Sequence, residues 1–198
     1  MTLSSRCILA ALLLALVGCN IAVSDVPVFG EAQRSSVRLK DGYWAIAERD
    51  CHYDAAQPVN SWPGCADWMI IADNQIVRER DKNVLGVEPR LLIADGKPLI
   101  AQVLSKSEKS EAPYYTFAAI EPKAIAPTGQ IAAMDLWIIE CRADPLRSPP
   151  GAAAVGNYPG FDADCRPRSI QALRAAAAAS RPHQDEMIVA KWVRATVN

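Results

Sequence analysis

Residues 50–54 read Asp-Cys-His-Tyr-Asp, a dense grouping of reactive side-chain types. A thiol beside an imidazole is the raw material of a nucleophilic pair, but a nucleophile needs its base within hydrogen-bond reach. Cys51 and His52 are neighbours, and neighbours on an extended chain point to opposite faces. Cys51 is better explained as half of a disulfide, and no catalytic residue is assigned. Asp162 and Asp164, with Asp144 nearby, could offer oxygens to Ca²⁺. Their spacing does not follow a calcium loop, and Asp164 has a plainer place near the start of a helix. No metal ligand set is assigned.

The sequence holds no G-x-S-x-G, H-E-x-x-H, P-loop or G-x-G-x-x-G, so no cofactor is expected. Serine-hydrolase chemistry needs a histidine base, and His52 and His183 are the two histidines of the chain. A glycosidase needs only two carboxylates, a demand that this composition meets. Among the aromatics, Tyr43, Trp44, Trp68, Trp137 and Trp192 fall on predicted strands, where core is the commoner role. Trp62 sits in a predicted loop beside Pro63. It is either a contact residue or a cover over the neighbouring disulfide.

The first eighteen residues have three zones. Arg6 supplies a positive start, Ile8 to Val17 is an uncharged apolar run, and Leu16-Val17-Gly18-Cys19 ends it. About ten apolar residues make a signal-peptide core and fall short of the roughly 20 that span a bilayer. The final four resemble the lipobox of bacterial lipoproteins. That resemblance implies cleavage after Gly18, diacylglycerol on the Cys19 sulfur and acylation of the new amino terminus. Two or three acyl chains anchor durably where one does so marginally. Asn20, where Asp would favour inner-membrane retention, tilts the expected destination towards the outer membrane, with the domain facing the periplasm. Residues 1–18 are thus read as signal peptide, 19–35 as a lipidated tether and 36–198 as one domain.

Cleavage of the first 18 of 198 residues leaves 180, enough for a single core. Without Arg6, 20 basic residues face 22 acidic ones, mixed along the chain. No basic stripe exists, which argues against nucleic acid and against electrostatic docking on anionic lipid. Of six cysteines, Cys7 is in the leader and Cys19 carries lipid. Cys51, Cys65, Cys141 and Cys165 remain and read as two disulfides of an exported protein. Three connectivities are possible. The local pairs Cys51–Cys65 and Cys141–Cys165 are preferred, because each would close a loop rich in Pro and polar residues between predicted strands. A metal site would want C-x-x-C-type spacing or several histidines.

The elements follow from periodicity. Val37–Lys40 and Tyr43–Ile46 form a first strand, bulged at Gly42. Trp68–Ala72 and Ile76–Val77 flank a turn at Asp73-Asn74. Leu91–Ala94 and Leu99–Leu104 make a hairpin on Asp95-Gly96, a favoured type I′ pair, with Pro98 marking a sheet edge. Tyr114–Ile120 is a strand that Pro122 punctuates, and Ile131–Cys141 is the longest strand, apolar on both faces. The Pro- and Gly-rich run between Cys141 and Cys165 needs pinning, which a disulfide would do for roughly 3 kcal/mol. Pro167 opens a helix that Ser180 ends, and Met187–Val193 closes the fold.

The expectation is a mainly β domain, an antiparallel sandwich or small barrel of about seven or eight strands with one late helix. No nucleophile–base set, cofactor fingerprint or metal cluster is legible, so the expected role is non-catalytic. It is binding or scaffolding of an envelope protein, a glycan or an apolar ligand. Tyr53, Trp62, Tyr158 and Phe161, in the two cysteine-bracketed loops, are the expected contact residues. A lipocalin-like carrier is the runner-up, and a carboxylate glycosidase comes after it.

Overall fold

A computed structural model of the chain describes residues 20–79, 91–105, 112–143, 156–182 and 187–196. Residues 1–19, Asp144, His183, nearly all of the polar 105–111 loop and most of the Pro/Gly-rich run lie outside them. Among the described residues nine strands form a nearly closed antiparallel barrel beside a single α-helix. The strands are β1 (Val23–Ser24), β2 (Gly42–Glu48), β3 (Ala66–Ala72), β4 (Gln75–Glu79) and β5 (Leu91–Ala94). They continue as β6 (Leu99–Ser105), β7 (Tyr114–Ile125), β8 (Ile131–Ile138) and β9 (Ile188–Arg194), with helix α1 at Ile170–Ala179. The order is β4-β3-β2-β9-β8-β7-β6-β5, with the short β1 added on β7. The last strand, β9, completes the wall by pairing with both β2 and β8.

Alternation along the strands sorts side chains into an inside and an outside. Trp44, Met69, Ile71, Leu91, Ile93, Leu99, Ala101, Ile120, Ile131 and Met134 fill the barrel interior. Outside, α1 covers β5–β8, where Leu173, Ala172, Ala176 and Ala177 meet Phe117, Trp137 and Ile139. The small alanines let the helix lie close, and Trp137 donates its indole N–H to the Ala177 carbonyl at 3.0 Å. A second outer cover lies over β2 and β3, formed by the loop between Cys51 and Cys65 with Val59 and Trp62.

Residues 20–40 depart most from expectation. The sequence reads 20–35 as a tether, but this segment is a belt wrapped on the barrel. The Ala22 N–H bonds to the Ile139 carbonyl at 2.9 Å, and β1 then pairs with β7. The buried Gln102 amide of β6 accepts from the N–H groups of Val28 and Phe29 and donates to the Phe29 carbonyl. Arg34 bridges to Ala94, and the Ser35 N–H bonds to the Ile93 carbonyl, so the belt runs onto β5. Residues 37–40 are not part of the first strand. Leu39 enters the interior as a plug, bridged to Ile131. The Lys40 ammonium lies 3.3 Å from the Trp192 ring centroid. β2 begins at Gly42, whose φ of +129° and 2.3 Å clearance between a built Cβ and the Arg194 carbonyl admit only glycine.

Of the expected turns, one forms as read and one does not. Asp73 and Asn74, both at positive φ, form the two-residue turn, with Ala72 opposite Gln75. Asp95-Gly96 instead lies in a longer connection, because Ala94 pairs with Ile100. Pro98 precedes an internal strand, since β6 has β5 and β7 on either side. Pro122 lies within β7, the longest strand, where a register shift follows it. The N-cap of α1 is Ser169, whose hydroxyl accepts from the Ala172 N–H at 3.1 Å; Pro167 stands before it.

Gln102→Leu keeps the size of the side chain but leaves the belt's backbone groups at Val28 and Phe29 unpaired. It is expected to cost about 2 kcal/mol in urea unfolding, and to expose residues 25–35 to limited proteolysis.

Candidate functional site

The four cysteines among the described residues stand in two pairs at disulfide distance, Cys51 with Cys65 and Cys141 with Cys165. Their Cα separations are 5.7 and 5.3 Å, inside the range a disulfide bridges. The first pair brackets the outer cover of β2–β3. The second is buried under α1 and joins the end of β8 to the approach of the helix.

These loops do not present all the expected contact residues to solvent. Trp62 is 5% exposed and Phe161 8% exposed, each inside an outer cluster. Trp62 therefore covers its own loop, its ring centroid 4.8 Å from that of Tyr53. Phe161 bridges to Pro167 beneath the helix approach. Tyr53 and Tyr158 are half-buried. Burial raises the Tyr158 phenol pKa, with the Glu140 charge adding to the rise. His52 turns its Nδ1 to the Asp50 carbonyl, 2.9 Å away. One Asp162 carboxylate oxygen accepts from the backbone N–H groups of Asp164 and Arg166, ordering a turn.

Between the two outer covers a strip of wall stays open, and it forms a cleft of about 300 Å³. Ala47, Glu48 and Arg49 line it from the end of β2, Cys51 and Tyr53 from the loop, Lys123 from β7. Ala133, Met134 and Asp135 come from β8, and Val189 and Lys191 from β9. At its base is Asp135, its side chain 3% exposed, held by Arg49 at 2.9 Å and Lys123 at 3.4 Å. Glu121 lies directly opposite Asp135 across the β7–β8 ladder. It shares Lys123 at 3.4 Å and takes Arg181 at 2.6 Å. Among the described residues Arg49, Lys123 and Arg181 thus pair with Asp135 and Glu121, and Glu48 and Lys191 line the cleft beside them.

This network decides what the carboxylate pair can do. Opposed cross-strand residues sit close together, near the spacing at which a retaining glycosidase holds its two carboxyls. Asp135, however, has a side chain only 3% exposed and is engaged by two cations, Arg49 and Lys123. The wall around it, Lys123, Lys191, Arg49 and the Tyr53 ring, can instead receive an anionic group. Sequence reasoning did not find this site. Its two signals are a carboxylate in the middle of the apolar strand Ile131–Ile138 and a lysine similarly placed at Lys191.

No family model, curated protein or solved structure matches this chain.

Trp62→Ala and Phe161→Ala should each lower stability by roughly 3 kcal/mol or more, read from urea midpoints; surface rings would move them little. Tyr53 gives a pH test. Burial raises its phenol pKa above the ordinary 10.0, so folding favours the neutral form. That contribution is complete below pH 10 and fades as pH climbs through the raised value. Tyr53→Phe should therefore flatten the alkaline fall in stability, as followed by thermal melts across that range.

Proposed function

We propose that this chain is an envelope lipoprotein, lipid-anchored through Cys19, whose domain binds a partner presenting a carboxylate to the cleft above Asp135. The observation that carries the binding half is the arrangement of the cleft. A buried Asp135 orients Arg49 and Lys123, while Lys191 projects from the neighbouring strand into the same space. Cations already held in place lose little side-chain entropy when an anion arrives. The interior full of Trp44, Met69, Ile71, Ile93 and Ile131 favours recognition on the outside of the wall over carriage of a ligand within it. The lipobox supports the anchor, and with it an outer-membrane, periplasm-facing setting. Disulfides at the two cysteine pairs belong to the same oxidising compartment.

Mass spectrometry of the mature amino terminus should show an acylated Cys19, and Cys19→Ser should leave precursor uncleaved or mislocalised. An unmodified terminus cut elsewhere would remove the lipoprotein reading. For the cleft, Lys191→Glu should weaken capture of cross-linked envelope partners about ten-fold, the equivalent of roughly 1.4 kcal/mol, at an unchanged melting temperature. Undiminished capture would sink the cleft assignment. A hydrolytic activity abolished by Glu121→Gln would replace binding by carboxylate catalysis.

A further inference from the structure

The belt leaves no slack between the barrel and the residue that would carry lipid. The Asn20 carbonyl accepts from the Cys141 N–H at 2.5 Å, and its side-chain oxygen accepts from Arg142 Nε. Ile21 bridges to Glu140, Ala22 is fully buried, and the Val23 N–H bonds to the Cys165 carbonyl at 3.2 Å. The first described residue is therefore already docked. Cys19 is covalently the next residue, and consecutive Cα atoms are about 3.8 Å apart. A free tether of sixteen residues would instead span about 20 Å.

The same pole of the barrel carries exposed apolar side chains. Burial alternates along Trp137, Ile139 and Cys141, so Ile138 and Glu140 point to the other side of the strand. Ile21, opposite Glu140, joins Ile138 there; they are 42% and 41% exposed. Val26, 65% exposed, follows on the same belt. The turn at Asp73-Asn74 lies at the opposite pole, where the Asn74 side chain accepts from the N–H of Leu39, the plug bridged to Ile131 at the far end of β8.

We infer that the pole formed by residues 20–23 and 138–142 is seated in the headgroup layer of the bilayer, with Ile21 and Ile138 as its apolar contacts. This rests on acylation of Cys19. Lipid chains in the membrane fix Cys19 at the interface, and one peptide step holds the docked pole against it. The domain then stands in one orientation instead of swinging on a leash. The occupant of this face is phospholipid, and the seat needs apolar contact and a short connection, not net positive charge.

The test uses the full-length acylated protein in phosphatidylcholine vesicles whose acyl chains are brominated near the headgroup. Ile138→Trp adds an indole at the seated pole, and Val77→Trp adds one on β4, also exposed but away from it. Relative to wild type, the added emission at 138 should fall at least two-fold, and that at 77 should not change. Ten Gly/Ser residues inserted between Cys19 and Asn20 should restore the emission at 138 while the protein still sediments with vesicles. Hydrogen exchange of the wild-type protein gives a check free of substitution. Residues 20–23 and 138–142 should be slowed on vesicles relative to detergent-free, unacylated protein made without residues 1–18 and carrying Cys19→Ala. An acylated, sedimenting protein with no quenching at 138 and unchanged exchange overturns the seat alone. Quenching that survives the spacer overturns the short connection as its cause. An unacylated terminus overturns the lipoprotein reading and the seat with it.

Discussion

A sheet that curls back on itself must satisfy the backbone groups at its seam, because an open edge in a small barrel would expose the interior to water and invite other strands. Here the seam lies between β4 and β5. The Gln75 side chain closes it by behaving as one residue of a missing strand. Its amide donates to the Leu91 carbonyl at 3.2 Å and accepts from the Leu91 N–H at 3.0 Å. The belt completes the repair, with Arg34 and Ser35 along β5 and Leu39 held by the Asn74 side chain. Closure is what makes the inward faces of eight strands a shared core, and every other feature of the fold is placed relative to it.

Closure has a consequence for the outside. A small barrel whose interior is filled has only its outer wall on which to add further structure. Two stretches are covered, one by α1 with the belt and the other by the Cys51–Cys65 loop. Each cover brings aromatics that satisfy its own packing, which is why Trp62 and Phe161 face inward. Where the covers stop, the wall carries charge. Asp135 is tolerable at the base of that gap because Arg49 and Lys123 meet it; an unpaired buried carboxylate would cost several kcal/mol. The cleft is thus the space left between two covers, lined by the cations that make Asp135 acceptable.

The places where local reading and fold part company share one cause. Asp95-Gly96 and Asp73-Asn74 are both good turn pairs, and which of them forms the tight turn depends on strand register, set by side chains far away in sequence. Residues 20–35 look like a tether because they lack any period. Their hydrogen bonds go to Ile139, Gln102 and Ile93, and irregular backbone bound by distant partners leaves no pattern to read. Pro122 interrupts a strand on paper, yet β7 absorbs it with a shifted register.

By itself the sequence determined the mainly β class, the single late helix and its stop at Ser180, and the strand positions of the middle and end of the chain. It also indicated which cysteines pair. These depend on short-range signals: alternation, alanine propensity, and a preference for local cysteine pairs among three possible connectivities. Tertiary structure alone decided that the sheet closes as a barrel, that the amino-terminal segment wraps it, and that Arg49, Lys123, Asp135 and Lys191 meet in one cleft. These residues are drawn from three strands and a strand end, adjacent only through the β2-β9-β8-β7 order. Strand order is a property of the whole sheet, since any strand can pair with several others locally and only the complete core and seam select among them.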